Sequence, residues 1–154
     1  MKLILCSVLA AVLASAALAA PKVDFSGTWV FNPAKSKNVG PMSSMQLTSI
    51  VQQTGATLSI RDQSKMMGQE STRDTHYDLT GKPVSNETFM GEKAETTSRW
   101  AGDKLVTTWK TEGAIAGTTV TRTETRALST DGKTMTLESL RGSNPPVVMV
   151  FDRQ

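Results

Sequence analysis

DFSGTWVFNPAKSK, residues 24–37, sets three aromatic side chains on one short run of a chain that has only eight Phe, Trp and Tyr in all. Successive side chains of a strand point to opposite faces. Phe25, Gly27, Trp29 and Phe31 therefore share one face, and Ser26, Thr28 and Val30 the other. The first set reads as a core stripe in which Gly27 permits close backbone approach. Asn32-Pro33 stops the strand, because proline has no amide hydrogen for a ladder. The AKSKN that follows has room for one helical turn. At the other end of the chain, VVMVFDRQ puts Val147, Met149, Phe151 and Arg153 on one face.

Ahead of that first strand, Lys2, the apolar run 3–18 and the small residues Ala17-Leu18-Ala19 read as a secretory signal cut after Ala19. The run is short for a membrane span, which needs about 20 apolar residues. No stable membrane insertion of the mature chain is expected. Residues 20–154 amount to one domain. Cys6, the single cysteine, leaves with the signal, so no disulfide scaffold and no cysteine nucleophile is expected. Lys2 aside, sixteen Lys and Arg stand against fourteen Asp and Glu, alternating in sign without a basic block. Nucleic-acid binding calls for a clustered basic face, and none is present.

Threonine dominates what remains: 21 residues, of which 13 fall between Thr96 and Thr136. Its branched Cβ suits a pleated surface. No window keeps a helical period, and turn residues recur as in barrels and sandwiches. Strands are expected over 25–31, 45–53, 57–65, 71–79, 87–90, 93–100, 104–112, 117–128, 133–141 and 147–153. Asp131-Gly132 marks a tight turn, because both residues tolerate positive φ. Eight to ten strands in sequential antiparallel order close most simply into an up-and-down β-barrel, wide enough for side chains or one small ligand; a two-sheet sandwich is the alternative. In a barrel Trp29 plugs one end, and Arg153 stacks on it and bonds nearby carbonyls, a cation–π contact worth about 1 kcal/mol. Gly27, Trp29 and Arg153 thus form the expected closure.

The pairing of G-T-W in the first strand with an Arg at the end of the last resembles the calycin superfamily of lipocalins, fatty-acid-binding proteins and avidins. FSGTWVF resembles the opening of the fatty-acid-binding proteins, and VFDR resembles their closing strand. Together with W-x-G-D-K-L (residues 100–105) and LSTDGKTMTL (residues 128–137), the pattern also resembles small secreted bacterial lipocalin-like proteins. The resemblance implies a binding module. It departs in two places. Fatty-acid-binding proteins grip a carboxylate with an Arg and a Tyr two residues apart in the final strand, where this chain has Met149 and Phe151. They also carry a two-helix lid, for which PAKSKNVGPMSS is too short.

Candidate cavity residues follow from face and spacing. In 117–128 one face reads Thr118, Val120, Arg122, Glu124, Arg126, Leu128, and the other Thr119, Thr121, Thr123, Thr125, Ala127. If the first face points inward, Arg122 and Arg126 need a partner, either Glu124 or an anionic ligand, because a lone buried charge costs several kcal/mol. Alternating opposite charges are common on strand exteriors, so the threonine face is the one expected inside. Trp100 and Trp109 are expected near each other across a hairpin, as core packing or as an aromatic wall for a ligand. Tyr77 and Phe151 complete the cavity candidates. A barrel lined partly by threonine is hard to fill dry, which favours a wet or ligand-accepting interior.

Other features carry less. His76 groups with Asp74 and Asp78 on a strand face, a set that suits a cation or a base but lacks a second histidine or a nucleophile; a solvated face is expected. Met66-Met67 tips a loop that would gate the barrel mouth or touch a partner. Met42 and Met45 have a thioether spacing for Cu(I), but two methionines do not make a site. No hydrolase, phosphate-loop or zinc signature is present, so neither a cofactor nor a metal is called for and no catalytic residue is assigned. The reading is an exported, periplasmic or secreted, non-enzymatic barrel for a small hydrophobic or amphipathic molecule. The alternative is a protein-interaction module, like a protease inhibitor or an envelope-associated subunit, with a filled barrel and exposed apolar tips near Met66-Met67 or Ile115.

Overall fold

The computed structural model describes residues 23–154, and the expected signal with its cut after Ala19 lies outside them. Ten strands run in sequence: β1 Gly27–Phe31, β2 Gln46–Gln53, β3 Thr57–Met66, β4 Gln69–Asp78, β5 Val84–Glu87, β6 Lys93–Ala101, β7 Lys104–Glu112, β8 Thr119–Leu128, β9 Thr134–Arg141 and β10 Val147–Arg153. They make one sheet in the order β4-β3-β2-β1-β10-β9-β8-β7-β6-β5. Each neighbouring pair is antiparallel, and β10 lies beside β1 with Trp29 opposite Arg153. The sheet curls into a nearly closed barrel.

Its two edges, β4 and β5, share no backbone ladder. Asn86 of β5 spans the gap instead. Its Oδ1 accepts from the His76 amide at 3.0 Å, and its Nδ2 donates to the His76 carbonyl at 2.7 Å. The carboxamide thus satisfies both backbone groups of His76 as a paired strand residue would. Nδ2 also donates to Thr96 Oγ1 at 2.8 Å, so the bridge is anchored in β6.

The closed end carries the aromatic stripe of β1. Phe25 and Trp29 are fully buried, and Phe31 nearly so. Trp29 Nε1 donates to the Phe25 carbonyl at 2.8 Å, which satisfies the indole inside the core. Arg153 lies 4.3 Å over the Trp29 ring. It donates to the carbonyls of Gly132 at 2.8 Å and Ser26 at 3.0 Å. Gly27, at φ +137°, passes beneath that guanidinium; a Cβ there would stand 2.9 Å from Nη1. Phe31 and Phe151 pack at 5.7 Å.

Two local expectations are corrected. The fifth strand spans Val84–Glu87 rather than 87–90. Residues 88–91 instead form a turn, closed by Gly91 N–H to the Thr88 carbonyl at 3.0 Å. The Thr88 hydroxyl accepts from the amides of Met90 and Glu92, so it competes with the ladder for those donors. The β3–β4 connection is a two-residue turn, with Met67 at φ 51° and Gly68 at φ 79°. Positive φ at both central residues is the type I′ arrangement that matches strand twist, and it lets β4 begin at Gln69. Between β1 and β2, short 3-10 turns at Pro33–Lys35 and Gly40–Ser44 stand where a helical lid would be.

Candidate functional site: the barrel cavity

The barrel is not filled. A cavity of about 470 Å³ opens at the end formed by the β3–β4, β5–β6, β7–β8 and β9–β10 turns, a size within the usual range for small-molecule sites. Met42, Met45, Leu47, Ile60, Met135, Leu137, Val147, Met149 and Phe151 give it apolar walls. Set into those walls are four arginines, Arg73, Arg122, Arg126 and Arg141, and two carboxylates, Asp62 and Glu124.

The charged face of β8 therefore points inward, against the expectation that its threonines would. Register decides this. Arg122, Glu124 and Arg126 pair with Trp109, Thr107 and Leu105 of β7, and Leu105, Thr107 and Trp109 are all buried. A one-residue slip of β8 would set Thr121, Thr123 and Thr125 opposite that buried face and turn Val120 and Leu128 outward with the arginines. Thr119 and Thr121 are exposed, while Thr123 and Thr125 are half-buried on the outer side. The threonine-lined interior is thus supplied elsewhere, by Thr75, Thr96 and Thr107.

Each inward charge has a distinct environment. Glu124 accepts from Trp109 Nε1 at 2.9 Å and pairs with Arg122 at 3.2 Å. The Arg122 guanidinium also lies 4.7 Å over the Trp109 ring. Across the cavity, Asp62 accepts from Ser49 and pairs with Arg73 at 3.0 Å. Arg73 in turn stands 5.9 Å over Phe89 at the mouth. Arg126 differs. It is 6 % exposed, packs 5.8 Å over Tyr77, and among the described residues meets no carboxylate within ion-pair distance; its buried Nε, like those of Arg73 and Arg122, has no hydrogen-bond partner. Tyr77 packs edge-on to Trp109 at 6.0 Å. Burial, reinforced by the charge of Glu124, pushes the Tyr77 phenol well up, so it stays protonated.

Of the residues singled out from sequence, Tyr77, Trp109, Arg122, Arg126 and Phe151 come together around this cavity. Trp100 does not. It pairs with Leu105 while Trp109 pairs with Thr96, so the two indoles sit at different depths. Trp100 stacks on Phe25 at 6.1 Å and belongs to the closed end. Asp62, Arg73 and Arg141 went unnoticed in the sequence, although strand parity carried the signal: Arg73 shares a face with Tyr77, and Arg141 with Met135 and Leu137. His76 points outward, its Nδ1 3.0 Å from Ser59 Oγ, while Asp74 is engaged by Arg61. Met67, Phe89, Met90 and Ile115 are exposed on turns at the open end.

No protein-family model and no curated protein matches the sequence. Solved structures do match. Human cRBP IV superposes with a TM-score of 0.65 at 18% identity, over 86% of this chain and 99% of that one. A Schistosoma mansoni fatty acid binding protein in complex with arachidonic acid gives 0.65 at 15%, over 84% and 96%. A zebrafish ileal bile acid-binding protein complexed with cholic acid gives 0.60 at 16%, over 84% and 98%. Identities this low speak to architecture alone: the chain shares the barrel fold of these proteins, fatty-acid-binding proteins among them.

Proposed function

We propose that this protein is an exported, non-enzymatic carrier that encloses a small amphipathic molecule, its anionic group against Arg126 and its apolar body among Met42, Met45, Leu47, Leu137 and Met149. The single observation that carries the reading is the state of Arg126, a buried guanidinium facing an open cavity with no carboxylate beside it. A buried charge is retained at a cost of several kcal/mol unless something compensates it, and a carboxylate held by charge-assisted hydrogen bonds does so. Two proteins of this fold are described with arachidonic acid and with cholic acid, both carboxylic acids with large apolar bodies. Fold alone does not confer function, and here the final-strand clamp is replaced by Met149 and Phe151, so the anchoring role falls to Arg126 of β8. Export rests on the leader-like residues 1–19 and is part of the proposal; sequencing the N-terminus of protein recovered from the host's exported fraction tests it.

The experiment is native mass spectrometry of protein purified from its host, followed by tryptophan fluorescence during titration with hexadecanoate and with its methyl ester. Trp109 reports from the cavity wall, and Trp109→Leu identifies its share of the signal. A bound anionic molecule, or hexadecanoate bound in preference to the ester, supports the carrier. Protein that arrives empty and responds to neither compound rejects it.

A further inference from the structure

The cavity has a second positive level, and its position specifies the ligand further. Along the inward face of β8 the order from the closed end toward the mouth is Leu128, Arg126, Glu124, Arg122. Arg122 lies opposite Arg141 of β9, and both line the cavity. Two like charges directly across a strand pair destabilise it. Arg122 is relieved by Glu124 and the Trp109 ring. Arg141, exposed at the rim, has no ion pair among the described residues. With Asp62 matched to Arg73 and Glu124 to Arg122, two of the four cavity arginines remain unmatched, Arg126 at depth and Arg141 at the mouth. Arg122 and Arg126 are four residues apart on an extended strand, and Arg141 shares the level of Arg122, so the two unmatched arginines spring from backbone levels about 13 Å apart along the cavity. On β10, Met149 stands at the Arg126 level opposite Leu137, and Val147 stands at the one intervening level opposite Ser139, which pairs in turn with Glu124.

We infer that the preferred ligand carries two anionic groups at the ends of an apolar spacer, the inner one on Arg126 and the outer one between Arg141 and Arg122. This rests on the carrier reading above and deepens it, from an anionic amphipath to a dianionic one of defined span. A simple monocarboxylate leaves the rim arginines facing each other. A dianion of the right length separates them with a shared counter-charge. The outer group remains partly hydrated at the rim, so its contribution is that of a partly exposed ion pair, while the inner group is fully desolvated.

The test compares dodecanoate with dodecanedioate, whose extended carboxylates match this span, by tryptophan fluorescence titration of the same protein. Dodecanedioate is expected to bind about five- to tenfold more tightly, and Arg141→Gln to bring the ratio of the two affinities close to one. Arg141 is exposed, so the variant retains the fold, which circular dichroism verifies. Equal affinities, tighter binding of dodecanoate, or an unchanged ratio in Arg141→Gln overturns the dianion. Failure of both compounds where hexadecanoate binds overturns the dianion alone, and failure of all three by a protein that arrives empty overturns the carrier reading itself, so the two failures are distinguished.

Discussion

Replacing Arg126 by methionine is expected to make the ligand-free protein more stable and the ligand-bound protein less so. In the empty barrel the guanidinium is buried with no acid partner at ion-pair distance. Its desolvation is worth several kcal/mol against folding. Two terms oppose that. Glu124 lies two positions away on the same face of β8, about 7 Å by strand rise, which at an effective dielectric of 20 returns about 2 kcal/mol. The Tyr77 ring at 5.8 Å adds about 0.5–1 kcal/mol. The sum leaves the arginine a net burden of about 1 kcal/mol, which methionine removes while filling similar space. For a domain of this size that raises the Tm by about 4 °C. Hexadecanoate at a hundred times its Kd stabilises wild type by about 2.7 kcal/mol. Loss of a charge-assisted hydrogen bond weakens the variant's binding by about ten- to a hundredfold, so the order of the two melting curves reverses. The assay is thermal unfolding by circular dichroism of delipidated protein, with and without hexadecanoate. A variant that melts below wild type when empty, and gains as much as wild type from the ligand, refutes the reasoning: Arg126 would then be a structural residue.

Asn86→Ala removes the carboxamide that serves the His76 backbone; it should weaken the β4–β5 junction by about 1–2 kcal/mol, read as faster hydrogen exchange at the His76 amide with β1 and β10 amides unaffected. Arg153→Met deletes the stack on Trp29 and the bonds to the Gly132 and Ser26 carbonyls, and should lower stability by about 2 kcal/mol, seen as a lower urea midpoint with an unchanged slope. The pH profile follows from the carboxylates and the tyrosine. Asp152 is held below its ordinary 3.8 by hydrogen bonds from Lys35 and then Asn32, and Asp131 by the Ser129 hydroxyl and then the Lys133 amide. Depressed carboxylates contribute stability that is fully present above 3.8 and is lost as pH falls below it. Tyr77, raised by burial, contributes stability present below its ordinary 10.0 and lost as pH rises past it. Melting temperature against pH should thus hold between those values and fall at both ends; a profile that is flat through pH 11 contradicts the buried Tyr77.

The strands and the closed end were legible in the chain itself. Period-two alternation with punctuating turns states a meander of short strands whatever the tertiary context. The parity of Phe25, Gly27, Trp29 and Phe31 names the plug, because a strand with three aromatics on one face has only one side it can bury. Arg153 follows by parity as well, since it shares the β10 face of Val147, Met149 and Phe151 and ends the strand on a cation. The error at 87–90 has a local cause: Thr-Phe-Met has the composition of a strand, while the Thr88 hydroxyl and a left-handed Gly91 make it a turn. Turn chemistry of that kind depends on which donors are left without partners, and propensity does not record it.

What the sequence by itself determined was a meander of short antiparallel strands, closing most simply as a barrel, with Trp29 and Arg153 as its plug. The order of apolar positions and turns admits few alternatives, and sequential strands pair locally. Which face of β8 lines the interior was decided only by the tertiary structure. Taken alone, TVTRTETRAL has a polar face on either side, and its charges look more at home in water. Pairing with β7, whose Leu105 and Trp109 must be buried, turns Arg122, Glu124 and Arg126 inward. The separation of Trp100 from Trp109 along the β6–β7 hairpin, the matching of Asp62 to Arg73 across the β3–β4 pair, and the unpaired state of Arg126 likewise depend on the register between neighbouring strands. Register transmits the burial demand of one strand to the charges of its neighbour, and that coupling, absent from any single segment, is what makes the cavity a candidate binding site.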